Sequence, residues 1–380
     1  MRACLLHDVA RLEVRDVPAP TLGPHDVLLR PKAVGLCGTD FHIFAGHGNY
    51  HTDTRGRPIP LAQAPQILGH EIVGLVDQVG AEVRDLGPGD RVLVDQGRNC
   101  MSARRQPLCE YCGTGHSHQC VTYGEHGITG LPGGLAEYLA IPAVNAVRIE
   151  SDIASDHAVV AEPLGCIVHS CDAMLATASR YQLGARDAAR QVQTIFVSGA
   201  GPAGLLFVQY LRQALQYDGR LIVSEPNANK RALAAGFGAE VIDPSAADIV
   251  EAVKDLTGGR RVECLIEASG AAKVFTQIPG LLRKQGTLVL YSHGQTGVDL
   301  GVLNAIQFLE PALVSPAGAS GGFDADGRPT TYRRALRLVE KTGIQVASWV
   351  THRYESLADV PRAFAGEHRA ADYVKGVVVL

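Results

Sequence analysis

The apolar run Thr194–Ser198 followed by Gly199-Ala-Gly201-Pro202-Ala203-Gly204 constrains this chain more than any other feature. A short strand, a G-x-G-x-x-G turn and an apolar helical pattern, in that order, predict the first βαβ unit of a dinucleotide-binding sheet. Gly199 permits the tight turn, Gly201 lets backbone approach a pyrophosphate, and Gly204 allows helix and strand to pack closely. Pro202 and Ala203 open the helix, whose free N–H groups and positive dipole end suit phosphates. A second strand, ending at Ser224, runs straight into Glu225, 21 residues after Gly204. An acid there hydrogen-bonds the adenine-ribose hydroxyls of NAD and repels the 2′-phosphate of NADP, so NAD is expected over NADP. Lys230, on the next helical segment, is placed to flank the adenine.

The alternation of strand and helix continues. Thr194–Ser198, Leu221–Ser224, Glu240–Ile242, Cys264–Glu267, Thr287–Tyr291 and Leu313–Ser315 read as buried strands. Helical spacing lies between several of them, as at Ala203–Leu215 and Ala246–Leu256, which predicts an α/β, doubly wound parallel sheet covered on both faces. Residues 1–160 differ. Short alternating strands such as Leu12–Val14, Val27–Arg30 and Arg91–Val94 are punctuated by Gly and Pro, so this part is β-rich. Two long excursions, 45–66 and 97–134, lack apolar periodicity, and loops this long are usually functional or held by something. The last part carries one helical pattern, Tyr332–Lys341, and a final apolar strand, Tyr373–Leu380.

Composition excludes several classes. Thirty-five basic against 39 acidic side chains leave a formal charge of −4, which argues against a nucleic-acid partner. No leader pattern and no run of about 18 apolar residues is present, so no membrane span and a cytoplasmic location are expected. Five of the nine cysteines fall between 37 and 120, a clustering that fits metal binding in a reducing compartment better than a disulfide framework.

Two clusters carry metal chemistry. Cys37, with Thr39, Asp40 and His42 close behind it, stands about 30 residues before His70 and Glu71. Thiolate and imidazole suit zinc, and a third ligand is needed with one position left open. Glu71 and Glu162 are the candidates. A core cysteine and a hydrogen-bonded histidine are the plain alternative on spacing alone. The second cluster, Cys100, Cys109, Cys112 and Cys120, has the spacing C-x8-C-x2-C-x7-C.

In order, GLCGTDFH, LGHEIVGLV, GDRV, the cysteine cluster, AEPLGC, SGAGPAG and EASG resemble the zinc-dependent medium-chain dehydrogenase/reductase family over essentially the whole chain. The branch resembled is that of the alcohol and polyol dehydrogenases, in particular the sorbitol, threonine and glucose dehydrogenases. The resemblance implies a GroES-like catalytic domain at 1–163, a Rossmann nucleotide domain at 164–318 and a return to the catalytic domain at 319–380. It implies catalytic zinc on Cys37 and His70, with Glu71 or Glu162 completing the set directly or through water. Asp40 would orient the zinc-binding histidine, or else cap a turn. Thr39 and His42 would relay the substrate proton to solvent through the nicotinamide ribose. Cys100, Cys109, Cys112 and Cys120 would hold a structural zinc. Because the first gap is wider than usual by six residues, His116 or His118 is an alternative to Cys100.

The function implied is hydride transfer from a secondary alcohol of a small polyol, sugar or cyclitol to NAD. Threonine or another amino alcohol, and an aldose oxidised at its anomeric carbon, are alternatives. A zinc-free reductase of activated double bonds and a non-catalytic nucleotide-binding protein are minor ones. The family's habit also implies a homodimer or homotetramer, with the last strand of the nucleotide sheet, near Leu313, pairing across a two-fold axis.

Overall fold

The long strand Asp26–Leu36 is the spine of the first part of the molecule. Its side chains alternate into the core up to Lys32, and from Ala33 it is buried on both faces, as a central strand requires. The computed structural model describes every residue except Gln295, Ser320 and Thr342. The chain divides into two compact units, Met1–Gly165 with Ala319–Leu380, and Cys166–Gly318.

In the first unit, seven strands form one sheet, in the order 146–148, 91–94, 71–79, 26–36, 375–379 and 350–354, with 139–142 also pairing on 26–36. The C-terminal strand Lys375–Val379 lies antiparallel to the spine, with Gly376 opposite Leu36 and Val377 opposite Gly35. On its other side the spine sets Gly35 opposite Glu71. This pairing brings residues about 300 positions apart in the chain beside Cys37. Arg328 fastens the returning chain to the unit. It is buried, its Nε donates to the Ala146 carbonyl at 2.8 Å, and it pairs with Asp85.

The second unit holds six parallel strands, in the order 240–242, 220–224, 194–198, 262–267, 282–290 and 312–314. Phe196, Ile222, Leu265 and Leu288 are almost wholly buried against helices, and each contributes about 1.5–3 kcal/mol. The two outer strands correct the reading of six buried strands. Ala312–Val314 lies at an edge with Leu313 60% exposed, and Val241 at the other edge is 37% exposed. An edge strand has a neighbour on one side only, so its outward positions stay wet.

The helix predicted over Ala203–Leu215 is α-helical at Pro202–Gln209 and continues as a π-helical turn, Tyr210–Ala214. Contrary to the expectation, the helical stretch Ser155–Ala176 is long and apolar enough to cross a membrane by composition, with mean hydropathy 1.3. Of that window 67% is buried inside the protein, which is the behaviour of a core helix.

Candidate active site

Cys37 ends the spine strand and is the N-cap of the short helix Gly38–Phe44. Asp40 ties this corner together. Its Oδ2 accepts from the Cys37 N–H at 2.9 Å and its Oδ1 from the Gly69 N–H at 3.0 Å. The same Oδ1 stands 3.5 Å from His70 Nδ1, and both side chains are buried. Asp40 therefore caps the turn and faces the imidazole. Gly69 makes the opposing corner in a left-handed conformation, φ +88°, which favours glycine.

The donor atoms of Cys37, His70 and Glu71 lie within 4.8 Å of one another, a spacing that one metal ion can bridge. Glu71 Oε2 is buried with no hydrogen-bond partner, a costly condition unless a cation takes it. The donor set of thiolate, imidazole and carboxylate fits zinc. The other Glu71 oxygen accepts from Lys375 Nζ at 2.5 Å, and the pair is almost completely buried. Burial lowers the Lys375 pKa, but the neighbouring Glu71 and Cys37 raise it further, and the net shift is upward. A Cβ added at Gly35 would stand 1.9 Å from Glu71 Oε2, so only glycine leaves room for this carboxylate.

Glu162 is not a member of that three-residue cluster. It is buried, and its Oε1 accepts from Gln96 Nε2 at 2.8 Å and lies 3.4 Å from the Tyr332 hydroxyl. The single Tyr332 hydroxyl proton is directed to Gln96 Oε1, the nearer acceptor, with Glu162 Oε1 as the longer second contact, which closes a buried triangle. Burial pushes the Glu162 carboxyl up to about 7, with His70 and Lys375 pulling it back and Glu71 adding to the rise. Glu125 is raised by burial in the same way. No role was assigned from the sequence to Gln96, Tyr332 or Lys375. Nothing local marks them, because each acts through a contact far along the chain.

Thr39 Oγ1 lies 3.9 Å from Cys37 Sγ. His42 follows three residues later on the same helix, so the two share a face. Both are half-buried. The His42 ring lies 5.8 Å from that of His47, centroid to centroid.

The four cysteines of the second cluster converge. Cys100 and Cys120 sulfurs are 3.7 Å apart, and those of Cys109 and Cys120 are 4.0 Å apart. Four thiolates at about 2.3 Å from one zinc would be about 3.8 Å from each other, so the cluster fits a closed zinc site. All four are free of disulfides. The six extra residues form a loop that returns Cys100 to the cluster, and neither His116 nor His118 belongs to it. The Cys109 thiol is drawn down to about 6, chiefly by the N–H groups of Cys112 and Val121.

In the second unit, Gly199 adopts φ +93° and packs on Ser269. A Cβ at Gly204 would meet the Gly199 carbonyl at 2.0 Å, whereas one at Gly201 would meet nothing within 4 Å. The turn thus leaves open space beside its backbone at Gly201. Pro202 and Ala203 begin the helix. Glu225 is turned inward. Its two oxygens accept from the N–H groups of Ala200 at 2.8 Å and Asn227 at 2.9 Å. A carboxylate offers about four acceptor positions, so ribose hydroxyls can still be accommodated. Lys230 sits on the first turn of its helix, where its backbone N–H is capped by Asn227. Glu267 was quoted only as part of a motif. Its Oε1 gathers the N–H groups of Ser269 and Gly270 and the Ser269 hydroxyl, and it fixes the loop at the carboxyl end of its strand.

Comparison with known proteins agrees with this geometry. An alcohol dehydrogenase GroES-like domain matches residues 23–151, and a zinc-binding dehydrogenase domain matches 202–341. The L-threonine 3-dehydrogenase of Thermococcus kodakarensis is 35% identical over 358 residues, covering 93% of this chain and 90% of that protein. The erythritol/L-threitol dehydrogenase of Mycolicibacterium smegmatis is 29% identical over 360 residues, covering 93% and 91%. A crystal structure of a zinc-binding dehydrogenase from Sinorhizobium meliloti 1021 bound to NADP matches with TM-score 0.79 at 29% identity, covering 100% of this chain and 99% of that one. The chain belongs to the zinc-dependent medium-chain dehydrogenase/reductase family. Within it, the chain is an oxidoreductase of the alcohol and polyol type.

Proposed function

We propose that this protein oxidises a secondary alcohol whose neighbouring carbons carry hydroxyl or amino groups, with NAD as hydride acceptor. The observation that carries the reading is the buried group Cys37, His70 and Glu71, with one Glu71 oxygen unpartnered. Cys37 and His70 would hold the catalytic zinc, with Glu71 or Glu162 as the third protein ligand. A zinc ion there supplies Lewis acidity that lowers the pKa of a bound hydroxyl. Asp40, whose Oδ1 stands 3.5 Å from His70 Nδ1, would orient the imidazole. Thr39 takes the hydroxyl proton, and His42, three residues on, passes it to solvent. Gly201 and the amides of its helix bind the pyrophosphate, and Glu225 favours the ribose without a 2′-phosphate.

Polyols, sugars and cyclitols are the first substrates to test. Threonine is the second reading, favoured by the likeness to L-threonine 3-dehydrogenases. Zinc-quantified protein is offered NAD and NADP with alditols, cyclitols, aldoses, threonine and simple secondary alcohols, following reduced nicotinamide. Turnover of one polar class with NAD supports the reading, and turnover of simple alkanols alone would overturn it. Leu313, 60% accessible on the edge strand, supports a homodimer joined there. A monomer at micromolar concentration in sedimentation would contradict that.

A further inference from the structure

The amino ends of the nucleotide-unit strands, opposite the end that carries the glycine turn, hold a groove of about 680 Å³. Arg180, Arg260, Arg261, Arg283 and Lys284 line it, and Arg190 lines an adjoining recess that shares Arg180. These cations are poorly neutralised. Among the described residues, of these cations only Arg260 and Arg283 reach a carboxylate, and they share one, Glu263, at 3.2 and 2.9 Å. The other Glu263 oxygen already serves the N–H groups of Gln193 and Thr194. Arg180 donates to the Gln285 amide and Arg261 to the Pro279 carbonyl.

A plainer account is that basic residues compensate helix C-termini. Three helices, Ile249–Leu256, Ala272–Leu281 and Val302–Gln307, do end here. Each contributes roughly half a negative charge. Together with Glu263 and Glu310 they offset only part of six cations, leaving roughly two and a half positive charges in excess.

Two further features suggest a built site. Buried Tyr181 supports two of the guanidiniums, with Arg283 at 5.1 Å and Arg180 at 5.7 Å from its ring centre. The strand pairing is also interrupted here. Val262 faces Leu282 and Cys264 faces Thr287, so Glu263 alone stands opposite Arg283, Lys284, Gln285 and Gly286, which are extruded toward the groove. Three non-glycine residues of the groove, Arg261, Gln285 and Glu310, have positive φ of 66°, 58° and 49°. Strained backbone of this kind clusters at ligand sites.

We propose that this groove binds a small compound carrying two or more phosphate groups, at a site separate from that of the dinucleotide. Arginine forks match phosphate oxygens in pairs, and Lys284 adds a mobile point charge. The test is calorimetric titration of the zinc-loaded enzyme, saturated with NAD, with inorganic pyrophosphate and separately with ATP. Zinc content is measured before and after. The expected result is one saturable site per chain for both probes, weakening as salt rises. The double variant Arg180→Ala with Lys284→Ala should weaken binding at least tenfold while its circular dichroism and NAD affinity stay unchanged. No saturable binding to the wild type overturns the proposal, as does binding that the double variant leaves intact. Failure here leaves the dehydrogenase reading untouched, since none of these residues serves it.

Discussion

Lys375, five residues before Leu380, donates to Glu71 at 2.5 Å, and the pair is almost fully buried beside Cys37. The bond joins two strands that flank the same spine, and it places a cation where a thiolate and carboxylates gather. Removing one partner of a buried pair leaves an uncompensated charge, at a cost of about 3–5 kcal/mol. Lys375→Met is therefore expected to lower unfolding stability by about that amount in urea titrations. Adding Glu71→Gln should recover part of the loss, because the buried charge goes with it. An equal or larger loss in the double variant would show that packing, not charge, is what Lys375 supplies.

The triangle of Gln96, Tyr332 and Glu162 makes a separate prediction. Tyr332 comes from the returning C-terminal segment and holds Gln96, which in turn holds Glu162. Tyr332→Phe deletes one hydroxyl and leaves the Gln96 carbonyl short of a donor, a cost of about 1–3 kcal/mol. The carboxylate is then less well fixed, so kcat should fall about tenfold or more while KM for NAD is unchanged. A fall in NAD affinity with unchanged kcat would count against a positioning role.

Asp95 gives the pH signature. Burial pushes its carboxyl up to about 7, opposed by the Gly97 N–H and reinforced by Glu125. In the unfolded chain the group ionises near its ordinary value of 3.8. The folded state therefore holds this proton while the unfolded state has lost it, and stability falls as pH rises from about 4 to about 7. Above that window the contribution is flat. Asp95→Asn keeps an acceptor for the Gly97 N–H, so it should reduce this slope, leaving the part that Glu162 and Glu125 contribute, and raise stability at pH 7. Denaturation series at pH 5 and 8 for both proteins check it, and an unchanged slope would assign the proton elsewhere.

Four convergent thiolates predict a structural role for the second metal. Cys112→Ser should reduce zinc by about one ion per chain and lower the thermal midpoint, since binding energy at a closed site is folding energy. The refolded fraction should keep kcat within a few-fold. Loss of turnover without loss of stability would argue for a catalytic role instead.

Much of this molecule is written in local signals. Gly199, Gly201 and Gly204 follow a strand and open a helix, and Cys109 and Cys112 have two residues between them, so neighbours in sequence stay neighbours in space. Leu313 was misread because an apolar residue on an edge strand has the same local pattern as one in the middle of a sheet. Strand order decides which it is. Glu225 was legible as an acid at the second strand, but its inward turn onto Ala200 depends on how two strands align. Lys375 and Tyr332 reach the site only through sheet pairing and a returning helix, which no window of sequence contains. Glu71 and Glu162 could not be ranked by spacing. The structure separates them by their partners, a cation for one and neutral donors for the other.

The central claim is tested most directly by Cys37→Ser, assayed for zinc content, NAD binding by fluorescence and turnover of the best substrate. The account predicts loss of about one zinc per chain and loss of turnover, with NAD affinity unchanged. Full turnover in this variant would contradict zinc-dependent alcohol oxidation at Cys37 and His70.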